Sequence, residues 1–163
     1  MSQLHIVKAT KDDTPDILDF IRQLAVYEKL EHEVEATVEK LNDTLFCDPP
    51  VAHVLFAIVD SEKVGVALYF YNYSTFLAKK GIYLEDLFVK PEHRGKGYGK
   101  SLLSKLASLC IEENCGRLEW SVLDWNTPSI KFYESLGAAP MDEWTVFRLT
   151  GDSLHALGAD SKL

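Results

Sequence analysis

The sequence predicts an α/β (α+β) domain: a mixed, mostly antiparallel twisted sheet flanked by helices. Three observations lead there. Six β-rich runs are spread along the 163 residues and alternate with stretches whose apolar residues recur at helical spacing. Two of the runs, 53–60 and 63–73, are separated only by Ser61-Glu62, a connection suited to an antiparallel hairpin. Thr-Pro pairs at 14–15 and 127–128 mark helix starts, because proline is tolerated where the first helical N–H has no partner.

Taken in order, residues 3–9 (QLHIVKA) alternate apolar and polar and read as a first strand. Thr14-Pro15-Asp16 offers a hydroxyl cap, a proline at the first helical position and an acid near the positive dipole end. Ile17, Phe20, Ile21, Leu24 and Tyr27 then predict a helix to about Lys29. A shorter helix starts at Thr37 and ends before Asp48-Pro49-Pro50. Strands follow at 53–60, 63–73 and 82–90. Over 98–114, Leu102, Leu103, Leu106, Leu109 and Cys110 form one helical stripe. A strand at 117–124, a helix from Thr127 to Gly137 and a last strand at 144–150 complete the pattern. With no internal repeat, low-complexity tract or linker, the chain reads as one domain over 1–163.

Composition narrows the function. Hydrophobic residues at 47% and charged residues at 26% describe a globular chain, and no apolar run approaches the roughly 18 residues of a membrane span. No basic region followed by an apolar stretch opens the chain, so a cytoplasmic protein is expected. Cys47, Cys110 and Cys115 are odd in number and lack C-x-x-C spacing, and the five histidines are scattered, so neither disulfide framework nor metal site is implied. His93 reads as a solvated loop residue. A net charge of −8 disfavours nucleic acid and suits a small cation better.

The most informative segment is Lys90–Ser101, K-P-E-H-R-G-K-G-Y-G-K-S. Gly95, Gly97 and Gly99 remove side chains where a backbone must approach something closely. The helix that follows offers unpaired N–H groups and a positive dipole end, a seat for an anion such as phosphate. A nucleotide P-loop requires glycine where this chain has Arg94. A dinucleotide fingerprint requires G-x-x-G where this chain has Lys100, and its strands here look antiparallel. A pyrophosphate seat for coenzyme A is the third reading.

R-G-K-G-Y-G at 94–99 matches R-x-x-G-x-[GA], and the chain resembles the GNAT N-acetyltransferases. The resemblance extends over YLEDLFVKPEHRGKGYG, VLDWNTPSIKFYESLGA and LAVYEKLE, which are similar to segments of the spermidine/spermine acetyltransferases. Y-E-K-L, Y-S-T and V-L-D-W-N place it closest to the thialysine branch. The resemblance implies acetyl-CoA as cosubstrate and a homodimer. It implies pyrophosphate binding by the backbone of Gly95, Lys96, Gly97, Tyr98, Gly99 and Lys100, with Arg94 and Lys96 supplying charge. Leu87, Phe88 and Val89 would pair through their main chain with the pantetheine arm. Asn126 and Ser129 correspond to positions that touch the same arm.

The remaining roles concern transfer to an amine. A primary amine near pKa 10 is almost wholly protonated at neutral pH, so its proton needs an acceptor. Glu85 is the leading choice, as a carboxylate mid-strand in an apolar context that is costly without a purpose, and the resemblance implies for it the role of substrate ligand or of base through water. Asp86 should face the other side of the sheet unless a bulge intervenes. Tyr133, in F-Y-E-S-L-G-A, matches the family's proposed general acid. Tyr27 and Glu28 match its acidic recognition site. Glu119 and Ser121 share one strand face and are expected in the same channel, with Glu143 as a further acid.

The chain departs from the polyamine enzymes at Phe76, where they usually carry tryptophan, and at Lys79 and Lys80, which would repel a polycation if they faced the channel. The expected activity is therefore N-acetylation of a small cationic amine, polyamine, diamine or thialysine-like, by direct attack in a ternary complex. A non-catalytic acyl-CoA-binding module and a protein-lysine or N-terminal acetyltransferase are the alternatives.

Overall fold

A computed structural model describes residues 3–161. The chain divides into two compact units, Met1–Ser121 and Val122–Leu163. In the first, five strands lie side by side in chain order: β1 (Leu4–Lys8), β2 (His53–Val59), β3 (Glu62–Ser74), β4 (Lys79–Val89) and β5 (Leu118–Trp120). β1 to β4 are antiparallel and β5 runs parallel to β4. The parallel step follows from the crossover between them, which contains helix α3 (Tyr98–Glu112).

Helices α1 (Thr14–Glu28) and α2 (Val38–Leu45) cover one face, where Ile17, Phe20, Leu41 and Leu45 cluster with Val54, Phe56, Val66 and Phe88. Strand alternation turns Gly65 to the opposite face from Val66. There a Cβ added at Gly65 would lie 3.4 Å from Leu102, so α3 packs on that side with Leu102, Leu103, Leu106 and Cys110 buried. Ile17, Phe56 and Leu106 are at most 1% exposed, and each contributes about 1.5–3 kcal/mol of burial.

Turn chemistry differs from expectation by one residue in three places. The β2–β3 turn falls on Asp60-Ser61 instead of Ser61-Glu62, with φ of 49° and 67°. Two left-handed residues make a turn whose twist matches the flanking strands. α1 is capped by Asp13, not Thr14, whose hydroxyl lies 2.7 Å from both the Lys11 carbonyl oxygen and Asn42 Oδ1. That buried hydroxyl ties α1 to α2. Helix α4 (Thr127–Ser135) likewise starts from Asn126 as its cap.

The second unit holds α4 and α5 (Gly151–Ala159). The strand expected at 144–150 is not formed, and residues 138–150 carry neither helix nor strand. A strand requires a neighbouring edge, and among the described residues the regular elements of this unit are all helices. Trp144, Val146 and Phe147 are consequently 75%, 83% and 93% exposed. α5 is not apparent in the sequence, because glycines stand at both ends of G-D-S-L-H-A-L-G-A. The strand expected at 117–124 shortens to three residues. Among the described residues no helix is long and apolar enough to cross a membrane.

Candidate active site

The geometry begins with a register shift. Tyr69 pairs with Leu84 and Leu68 with Asp86, which leaves Glu85 as the extra residue of a β-bulge. Above the bulge Tyr83 stacks on Phe70, at 5.1 Å between ring centroids, and Phe70 packs on the α1-side cluster. Below it, Asp86 and Phe88 reach the same side: Phe88 meets Phe20 edge-on at 6.2 Å. The bulge therefore switches which residues face α1.

The consequence corrects the sequence reading of two acids. Glu85 is exposed, whereas Asp86 turns into a small apolar cavity walled by Ile17, Phe20, Ile21, Leu24, Val66 and Leu68. Loss of hydration raises the Asp86 carboxyl to about 6, and the charges of Glu85 and Glu28 push it the same way. Burial also raises Glu28, at the last turn of α1. Lys29 ends that helix in the left-handed region, at φ 61°. Glu28, Glu85 and Asp86 thus form an acidic trio on neighbouring elements.

Past the bulge, β4 and β5 separate. β5 pairs only with Ile82, Tyr83 and Leu84. Leu87, Phe88 and Val89 hold Ala67, Val66 and Gly65 of β3 on one side, and among the described residues no strand pairs with their other edge. That bare main chain leads into the glycine loop. Gly95 and Gly97 have φ of 75° and 86°, a conformation that costs an L-residue roughly 1–2 kcal/mol. Their N–H groups and that of Lys96 meet no acceptor among the described residues. The first turn of α3 adds the N–H groups of Tyr98, Gly99 and Lys100, which no helical carbonyl can reach.

Arg94 is fixed rather than mobile. Its Nε donates to the Val89 carbonyl at 2.9 Å, and its guanidinium lies 4.8 Å from the Tyr27 ring centroid and 5.3 Å from that of Phe88. Lys96 Nζ donates to the Glu92 carbonyl at 3.3 Å. His93, expected in solvent, is largely covered: its ring lies 6.3 Å from that of Tyr98, and Nε2 is 3.4 Å from Glu62. Glu62, Glu92 and His93 place ligand-type atoms within 4.8 Å of one another, but Lys90 Nζ already holds Glu62 at 2.8 Å.

The other proposed residues separate into groups. Glu119 is engaged by Arg117 Nε at 2.7 Å and by the Asn72 amide at 3.1 Å. Ser121 Oγ lies 2.6 Å from the Tyr83 hydroxyl. Lys80 pairs with Glu113 at 2.5 Å, and Lys79 donates to Asn114 at 2.9 Å, so both lysines are bound to the end of α3. Phe76 is 99% exposed at the tip of the β3–β4 hairpin. Asn126, Ser129, Tyr133 and Glu143 belong to the second unit. There Tyr133 sits on α4 with its ring 5.5 Å from Phe132, Asn126 is buried beneath the helix start, and Glu143 is exposed.

Sequence reasoning missed the burial of Asp86, and the only signal available was its place beside Glu85 in an otherwise apolar strand. An open strand edge running into a helix-capping glycine loop, with acids beside it, defines an acyltransferase-type fold. The chain belongs to the acetyltransferase (GNAT) family, which it matches over residues 17–138. Within it, the similarity falls on the thialysine branch. It is 37% identical to a thialysine N-epsilon-acetyltransferase of Bos taurus, across 96% of this chain and 98% of that one. It is 35% identical to an L-ornithine N5-acetyltransferase of Arabidopsis thaliana, across 91% and 85%. Among solved structures, an integron cassette protein from the mobile metagenome of V. cholerae superposes with a TM-score of 0.81 at 28% identity, covering 97% of this chain and 98% of that one.

Proposed function

We propose that this protein transfers the acetyl group of acetyl-CoA to the primary amine of a small cationic substrate of the thialysine or ornithine type. The observation that carries the reading is the bare edge of Leu87–Val89 running into the positive-φ glycines, directly below the acidic trio. The fit to coenzyme A is physical. Unpaired N–H groups at Gly95–Gly97 suit a pyrophosphate, and an unpaired strand edge suits the amides of an extended arm.

Acetyl-CoA supplies the thioester; the residues supply position and protons. Leu87, Phe88 and Val89 orient the arm, while Arg94, Lys96 and the main chain of residues 95–100 hold its anionic end; Asn126 and Ser129 are assigned to the same arm by their match to the family motif. Tyr27, Glu28 and Asp86 hold the cationic substrate, assisted by Glu119, Ser121 and Glu143. Glu85, exposed at the bulge, passes the ammonium proton to water. The freed nitrogen forms the new C–N bond, the C–S bond breaks, and Tyr133 protonates the departing thiolate. The match over 17–138 crosses the boundary between the two units, which supports one functional domain. The protein works as a homodimer in the cytoplasm and requires no metal.

The test is an acetylation screen over thialysine, ornithine, lysine, spermidine and a short diamine, compared by kcat/KM. Amino-acid amines should lead. Glu85→Gln and Tyr133→Phe should each lower kcat by about 10²-fold or more. Unchanged rates in both would remove the catalytic roles.

A further inference from the structure

A second cavity, of about 360 Å³, lies where the end of β1, the end of α2 and the start of β2 meet. It shares no lining residue with the Asp86 cavity and includes none of the glycine loop. Leu45, Phe46 and Val54 give it an apolar wall. Lys8, Lys11 and His53 give it a polar side, and among the described residues no carboxylate lines it. The volume falls at the lower end of the roughly 300–1,000 Å³ that small-molecule sites occupy.

The charges there are unbalanced in a telling way. Acids outnumber bases by 25 to 17 in this chain, and Lys63, Lys80 and Lys90 all sit against carboxylates. Lys8 and Lys11 make no ion pair among the described residues. The His53 ring is partly stripped of water, and this together with the Lys8 charge lowers its pKa against the smaller opposing effect of Glu113, which does not line the cavity. Two unpaired cations against a low-dielectric wall focus a positive field in an otherwise acidic molecule.

We infer that this cavity binds a small amphipathic anion, a carboxylate or phosphate ester of a compact apolar group. Its anionic head lies between Lys8 and Lys11 and its body against Leu45, Phe46 and Val54. The proposal is independent of the acetyl-transfer reading.

Cys47 lines the same cavity and is exposed, so its thiol reports on the field. Alkylation of Cys47 by iodoacetate and by neutral iodoacetamide is compared by mass spectrometry, in folded protein and in urea. The iodoacetate preference should rise by about threefold or more on folding and return to the urea value in a Lys8→Ala/Lys11→Ala variant. Calorimetric titration with hexanoate and with phenyl phosphate gives a second readout, each binding the parent and not the variant. Binding of one alone assigns the head group. An unchanged reagent preference together with no heat from either probe would overturn the site. Equal binding by parent and variant would overturn it as well.

Discussion

The guanidinium of Arg94 lies 4.8 Å from the Tyr27 ring centroid, so the last turn of α1 and the glycine loop are joined through one side chain. Tyr27, expected on the amine side, thereby also braces the loop proposed to hold coenzyme A. Replacing Arg94 by alanine removes the ring contact and the Nε bond to Val89, together worth about 1–2 kcal/mol. The KM for acetyl-CoA should rise on the order of tenfold or more. Arg94→Lys should recover little, since an ammonium cannot reproduce the planar fork. Tyr27→Phe should preserve the acetyl-CoA KM and Tyr27→Ala should not. Steady-state kinetics with each substrate varied in turn separates these outcomes.

The glycines of the loop are not equivalent. Alanine at Gly95 or Gly97 meets no neighbouring atom, yet the positive φ should cost roughly 1–2 kcal/mol in thermal or urea unfolding. Alanine at Gly99 would stand 3.7 Å from Val89 Cγ2, an ordinary contact, so its stability should match the parent. A loss of acetyl-CoA affinity in Gly99→Ala without loss of stability would mark a place where the ligand, not the fold, requires glycine.

Asp86 makes a pH prediction with a definite sign. Its carboxyl is raised from 3.8 to about 6, so between those values the native state binds more protons than the unfolded one. Stability attributable to this group is therefore greatest at low pH and falls as pH rises through about 6. Ionised Asp86 destabilises the fold by about 1–2 kcal/mol near neutrality, after allowance for its partial contact with solvent. Asp86→Asn should be more stable than the parent above about pH 7, with the gap closing below about pH 4. The same variant should raise the KM for the amine. A stabilising substitution that damages substrate binding is the mark of a functional acid, and denaturant melts across pH together with kinetics would show it.

What was legible in the sequence follows from what is local. The helical stripe of α3, the β2–β3 hairpin and the glycine loop depend on neighbours within a few residues, and each appears where spacing put it, the hairpin turn within one residue. The bulge at Glu85 depends on how β3 and β4 register against each other. Nothing in Y-L-E-D-L-F announces it, yet it exchanges the environments of Glu85 and Asp86. The strand expected at 144–150 failed for a related reason: alternation predicts the capacity to pair, and pairing requires a second edge.

That unpaired segment makes the last prediction. In E-W-T-V-F-R-L-T the residues Trp144, Val146 and Phe147 are exposed, and among the described residues the only backbone bond donated there outside the helices is from Trp144 N–H to the Met141 carbonyl, at 3.1 Å. Exposed aromatic surface with free strand-forming backbone is a ready contact for a second chain. If the proposed homodimer forms through this segment, the parent should sediment at twice the chain mass and a Trp144→Ser/Phe147→Ser variant as a monomer. Because both side chains are exposed within one chain, the variant should retain its circular dichroism, with stability of the monomer changed by about 0.5 kcal/mol or less. A parent that sediments as a monomer would refute the homodimer. A variant that remains dimeric would place the interface elsewhere on the chain.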